Sequence, residues 1–246
     1  MSIICITQAR LTSSRLPSKV LLPISTDYNA ITLLKNRVSR SSFIDKHIFA
    51  IPDTKANLPL ASFLDNSGIP YIAGPEHDLI QRHLMACTAD IRAVVRITSD
   101  CPLVDPIWID RAIEVYMSGY DYVSTYTPAE SSLFCNGSDI EIFSVDLLKI
   151  LSEKFLLASD REHVTFPLWD GRLKCNYSNL NHLIPEPIND IRITLDYRED
   201  LAVLRSLSGE INLASADLLS IARIYRKLKL HLINGDISYD AGWNKE

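Results

Sequence analysis

The chain of 246 residues is 47% hydrophobic and 22% charged, a globular composition that excludes disordered, fibrous and membrane-embedded classes. A formal net charge of -5 excludes a duplex-nucleic-acid binder, which needs a basic face, but leaves room for a small anionic ligand. Its five cysteines form none of the close pairs of a zinc or redox motif, and no apolar run has the length of a signal-peptide core or membrane span, so free thiols in a cytoplasmic protein are expected.

Short β-branched runs alternate with helical patterns along the chain. The runs at Ile3–Thr7, His47–Ala50, Tyr71–Ala73, Ala93–Thr98, Tyr122–Ser124, Ile140–Phe143 and Ile191–Leu195 predict strands. Between and after them, Ala30–Val38, Leu58–Asn66, Asp78–Cys87, Pro106–Met117, Val145–Leu151 and Asp217–Leu230 carry apolar residues at helical spacing. Asp105-Pro106 and Ser159-Asp160 read as helix starts, the second opening Arg161–Trp169. The fold class is therefore α/β: a three-layer, mostly parallel twisted sheet with helices on both faces. One domain spanning 1–246 is expected, with 125–187 an irregular excursion rich in Pro, Asn, Ser and Gly that holds a second substrate or a subunit contact.

Directly after the first strand, the segment from Gln8 to Lys19 carries three cations, Arg10, Arg15 and Lys19, and four hydroxyls, with no acid. A turn at the carboxyl end of a strand offers backbone N–H groups, and arginine forks with a lysine charge complete a cradle for a triphosphate. No glycine precedes Gly68, which excludes P-loop and dinucleotide fingerprints. The run Val94 to Leu103 reads as a buried strand that stops at Asp100 and a Cys-Pro turn, and Arg192-Ile193-Thr194-Leu195-Asp196 repeats its spacing of Arg, Ile, Thr and Asp. On residue type alone, each aspartate is either a turn-former or one of the few carboxylates that Mg2+ requires. Asp139 and Glu141 share one strand face, which on residue type reads as a solvated face. Arg161 and His163 fall in a first helical turn, which favours an anion, or are ordinary surface residues.

The segment Gln8-Ala9-Arg10-Leu11-Thr12-Ser13-Ser14-Arg15-Leu16-Pro17-Ser18-Lys19 resembles the cytidylyltransferases of the spore-coat-polysaccharide type, relatives of the CMP-sugar-acid synthetases. Their pattern here is Gln-Ala-Arg-Met-Gly-Ser-Thr-Arg-Leu-Pro-Gly-Lys, so Thr12 and Ser18 replace two glycines. Four further segments are similar: Gly74 to Arg82, Ser99 to Leu103, Gly137 to Phe143 and Asp160 to Thr165, and Asp196 to Leu201 matches an Asp-Thr-Pro-Glu-Asp-Leu motif with Tyr197 and Arg198 in place of Thr-Pro. The resemblance implies transfer of CMP from CTP to a sugar, in particular a sugar acid, with release of pyrophosphate, for surface polysaccharide or glycoconjugate synthesis by a homodimer. It implies catalytic roles for Lys19, Arg10, Arg15 and Asp100, and Mg2+ on Asp100 and Asp196. Nucleotide contacts fall to Gln8, Ala9, Arg10, Ser13, Ser14, Arg15, Lys19, Gly74, Glu76, Arg82, Thr98 and Asp100. Contacts to the sugar fall to Asp139, Glu141, Arg161 and His163. The competing expectations are a nucleotide-sugar-dependent glycosyltransferase with Asp139-Ile140-Glu141 as its metal motif, and a nucleotide-binding relative without catalysis.

Overall fold

A computed structural model describes residues 2–126 and 131–238. Seven strands form one sheet in the order β3-β2-β1-β4-β6-β5-β7. Four of them, β1 (Ser2–Gln8), β2 (Lys46–Pro52), β3 (Tyr71–Gly74) and β4 (Ile91–Thr98), pair in parallel and are joined through α1 (Ala30–Val38), α2 (Leu58–Asn66) and α3 (Leu79–Ala86). Strand β6 (Glu141–Ser144) runs antiparallel to both β4 and β5 (Tyr122–Ser124), and β5 pairs in parallel with β7 (Tyr177–Asn179). The sheet is thus mostly parallel: β6 alone runs against the other described strands, and it marks off an antiparallel half, β6-β5-β7, from the all-parallel one.

Both faces are covered because the strands are apolar on both. In β1, Ile3 and Cys5 pack into one cluster with α1, α2, α4 (Pro106–Met117), α8 (Arg198–Ser208) and α9 (Leu218–Lys227). Ile4 and Ile6 point the other way, into a second cluster with α3 and α5 (Val145–Lys154). Helix starts follow local chemistry: the Asp78, Asp105, Ser144 and Asp217 side chains each accept a backbone N–H of the first turn. Among the described residues no helix is long and apolar enough to cross a membrane.

Two expectations need correction. Ile191–Leu195 is not a sheet strand. It runs extended beside the loop before β6, where Asn136 N–H donates to Ile191 O (3.1 Å) and Ile193 N–H to Asn136 O (2.8 Å). Gly137, at φ 103°, makes that approach possible: a Cβ there would lie 2.4 Å from the Thr194 nitrogen. Second, Arg161–Trp169 is not one helix. Pro167 lacks the N–H that would bond to His163 O, so α6 (Ala158–His163) ends at Val164, φ 53°, and a separate turn, α7 (Phe166–Trp169), follows. Arg161 and His163 therefore lie in the last turn of α6 rather than the first, where no free N–H groups await an anion. From the 125–187 segment, residues 127–130 lie outside the described residues.

Candidate active site

The carboxyl ends of β1 and β4 open into a cleft of about 460 Å3. The loop after β1 folds over its own buried Ala9, Leu11 and Leu16, and is tied by Leu11 N–H to Asn57 Oδ1 (2.8 Å) and by Ser18 N–H to Leu11 O (3.0 Å). That closure places Ser18 at φ 55°, a left-handed conformation that glycine adopts without penalty. Thr12, the other replacement, is not left-handed, and its hydroxyl donates to Glu76 (3.3 Å). Only one of the two lost glycines thus had a conformational reason. Ser18→Gly is expected to stabilise the fold by up to about 1 kcal/mol, a rise in Tm of about 2 °C in a chain this size. A melt showing a lower Tm counts against strain at Ser18.

Immediately after Ser18, Lys19 begins a short turn and sends its side chain into the cleft, where it is 7% exposed. Its ammonium donates to Asp100 Oδ2 (3.1 Å) and Asp196 Oδ1 (2.7 Å). Arg15 Nη2 meets the same Asp196 oxygen at 2.5 Å, with its guanidinium stacked over the Tyr197 ring. Burial lowers the Lys19 pKa, but the two carboxylates more than offset it and hold the amine above its ordinary value. Asp100 is pushed up by burial yet brought down to about 2, first by the Lys19 charge and then by Thr98 and Lys19 hydrogen bonds. The two aspartates, 96 positions apart in sequence, meet because Leu195 N–H (2.8 Å) and the Thr194 hydroxyl (3.1 Å) both donate to Asp100 O.

This donor set fits a hard divalent cation. Besides Asp100 and Asp196, Asp139 lines the cleft, and burial with the charges of Asp100 and Glu141 raises its pKa to about 7. Such crowding of carboxylates is relieved by a cation. Among the described residues no group of three or more His, Cys, Asp or Glu side chains is placed to hold a metal ion.

Of the other nucleotide candidates, Gln8, Ala9, Arg10, Ser13, Ser14, Arg82 and Thr98 line the same cleft. Arg82 is 2% exposed, reaches the Ala50 and Glu76 carbonyls only at 3.5 Å, and leaves Nε without a partner. Burial and then the nearby Arg10 lower its pKa to about 10. Gly74 and Glu76 stand behind it rather than in the lining: a Cβ on Gly74 would meet Arg82 Cγ at 2.9 Å.

On the antiparallel half, Asp139, Glu141 and His163 line the cleft, as do Arg96, Ser124 and Asn136. Glu141 is occupied: it pairs with Arg96 and accepts from the hydroxyls of Tyr122 and Thr165, both at 2.5 Å. A carboxylate so saturated is a poor metal ligand, which removes the support for Asp139-Ile140-Glu141 as a glycosyltransferase motif. Arg161 does not line the cleft. It donates to Ser152 O (2.7 Å) and pairs with Asp78 at 3.5 Å, joining α6 to α5 and α3. His163 lies against Phe166, and burial lowers its pKa. Sequence reading gave Arg96 no role; the available signal was a cation inside a buried strand run, whereas its partners Gln8 and Glu141 are set by the fold.

The fold is that of the nucleotidyltransferases. Within that class, the chain is similar in structure to a cytidylyltransferase from Leptospira borgpetersenii serovar Hardjo-bovis, with a TM-score of 0.87, 25% identity, and coverage of 97% of this chain and 99% of that one. It is also similar to a CMP:2-keto-3-deoxy-manno-octonic acid synthetase solved with CTP, with a TM-score of 0.60, 13% identity, and coverage of 85% and 99%. By sequence it is 28% identical over 214 residues to the spore coat polysaccharide biosynthesis protein SpsF of Bacillus subtilis, covering 83% of this chain and 85% of that protein. No protein-family profile matches the chain. Cytidylyltransferases and a spore-coat-polysaccharide protein are thus among the relatives and neighbours, as the loop after β1 led us to expect.

Proposed function

We propose that the protein transfers CMP from CTP to a hydroxyl of a sugar, a sugar acid in particular, and releases pyrophosphate. The observation that carries this reading is the cluster of Lys19 and Arg15 against Asp100 and Asp196. Cations for a triphosphate and carboxylates for its metal converge on one point, at the end of a strand whose loop resembles that of cytidylyltransferases.

Asp100 and Asp196 are the residues that would hold Mg2+, and a bound ion supplies charge stabilisation to the phosphate under attack. Lys19, Arg15 and Arg10 neutralise the triphosphate, with Lys19 and Arg15 exchanging carboxylate for phosphate oxygens as partners. The under-bonded Arg82 offers its donors to the acceptor edge of the nucleoside, beside Ala9 and Gln8. The sugar lies over the antiparallel half, where Asn136, Ser124, Asp139 and Thr194 present the amide, hydroxyl and carboxylate groups that suit a polyhydroxylated molecule. Because Arg161 faces away, a sugar carboxylate would meet Arg96 and His163 instead. Positioning and charge neutralisation account for such a reaction with little covalent work by the protein. The acid acceptor, a role in surface polysaccharide synthesis, a cytoplasmic location and a homodimer all rest on the likeness to cytidylyltransferases and SpsF.

The test is pyrophosphate release from each of the four common nucleoside triphosphates with Mg2+, across octulosonic and nonulosonic acids and neutral sugars. Release with CTP and a sugar acid is expected. Turnover only with a nucleotide-sugar donor, or CTP binding with no turnover on any acceptor, overturns the reading.

A further inference from the structure

Asp196 stands on a turn with no sheet partner, yet a metal ligand has to be held in place. The turn is fixed by Asp200, which is fully buried in the first turn of α8. One Asp200 oxygen accepts the backbone N–H groups of Asp196 (2.9 Å) and Tyr197 (3.0 Å) as well as Arg192 Nη2 (2.9 Å). The other accepts Arg192 Nε (2.8 Å) and the side-chain amide of Asn234 (2.9 Å). Asn234 lies in the last described helix, α10 (His231–Asn234), and is 1% exposed. Its amide nitrogen also donates to Arg192 O (3.0 Å), and its oxygen accepts the buried Tyr225 hydroxyl of α9 (2.8 Å). A chain of hydrogen bonds therefore runs Tyr225, Asn234, Asp200, and then the backbone that carries Asp196.

We propose that Asn234 and Tyr225 are positioning residues for the Asp196 carboxylate, so that the two C-terminal helices set the metal affinity of the site. This rests on the reading that Asp196 is a metal ligand. Buried polar groups in a connected network specify one geometry when all are satisfied. Without the Asn234 amide, Asp200 Oδ1 keeps only Arg192 Nε, and Arg192 O loses its side-chain partner, so the carboxylate and the guanidinium that it grips are free to shift together. The turn at 196–197 follows Asp200, and the Asp196 oxygens lose their registration with Asp100. Neither Asn234 nor Tyr225 lines the cleft, so contact with nucleotide or sugar is left intact.

The experiment measures Mn2+ binding by electron paramagnetic resonance in the full chain, with CTP binding measured separately without metal. Outer partners of metal ligands typically change affinity at least tenfold, so Asn234→Leu is expected to raise the Mn2+ Kd about tenfold, and Tyr225→Phe by a smaller factor in the same direction. The KM for CTP at saturating Mg2+ and metal-free CTP binding should not move. Tyr225→Phe removes one hydroxyl and keeps the ring, which leaves a folded variant to measure if Asn234→Leu does not fold. Unchanged Mn2+ affinity in a folded Tyr225→Phe or Asn234→Leu overturns the proposal. Asp196→Asn separates the two levels: if it weakens Mn2+ binding while the network variants do not, only the positioning role fails. If Asp196→Asn leaves Mn2+ binding intact, the metal reading fails and the positioning role with it.

Discussion

Asp100→Asn is expected to lower kcat by about a hundredfold or more, because loss of metal-based charge stabilisation is worth several kcal/mol at about 1.4 kcal/mol per decade of rate. The amide keeps the size of the side chain and removes the ligand charge. Fold stability should fall by less than the rate does: the amide keeps the shape of the side chain, and the buried Lys19 retains Asp196 as its charge partner. Asp196→Asn should behave alike. The double variant should lose much less than the two single effects added, because both carboxylates act through one ion. Turnover against Mg2+ concentration, with a thermal melt as control, reads all three. A near-wild-type rate for a normally melting Asp100→Asn at limiting Mg2+ removes Asp100 from the site.

Lys19→Met carries the second large effect and has two signs. With CTP, the loss of a buried cation from the phosphates should raise KM and lower kcat/KM by about a hundredfold, roughly 3 kcal/mol of transition-state stabilisation. Without CTP, the same variant should bind Mn2+ more tightly than the wild type, because in the wild type the Lys19 ammonium already bridges Asp100 and Asp196. The acid limb of stability changes too. Asp100, held at about 2 against an ordinary value of 3.8, contributes stability above pH 3.8 that disappears as the pH falls through about 2. Without Lys19 that contribution shrinks at neutral pH and the low-pH loss flattens. Equal Mn2+ affinity in the two proteins, or unchanged CTP kinetics, contradicts the bridging role.

Much of the fold was legible because local signals agreed with tertiary structure. Pro106–Met117, Leu58–Asn66 and Ala30–Val38 coincide with their helices, since helical spacing and burial point the same way, helped by side-chain caps at Asp105 and Asn29 and by a proline in the first turn of α2. The loop from Gln8 to Lys19 was legible as a cationic lining of the cleft because composition and place after a strand survive any folding detail. Ile191–Leu195 was misread for a physical reason. An extended apolar run has period two whether it joins a sheet or lies along a loop, and only the approach to Gly137 decides which. Arg161 was misplaced because one proline shifted a helix boundary, converting an expected first turn into a last one. The pairing of Arg96 with Glu141 was invisible, since an antiparallel register between β4 and β6 brings together residues 45 positions apart.

The reversed strand β6 has a consequence for how such a molecule can diversify. In the proposed reaction the nucleotide would face β1, its loop and α3, whereas the sugar would face β5, β6 and the segments around Asn136 and His163. The two sets share the neighbourhood of Asp100 and Asp196 and little else. Substitutions on the antiparallel half can therefore exchange one acceptor for another while the triphosphate cradle keeps its shape. A lineage of such proteins is free to explore new sugars by drift at one edge of the sheet, and acceptor range becomes the evolvable property of an otherwise fixed donor chemistry.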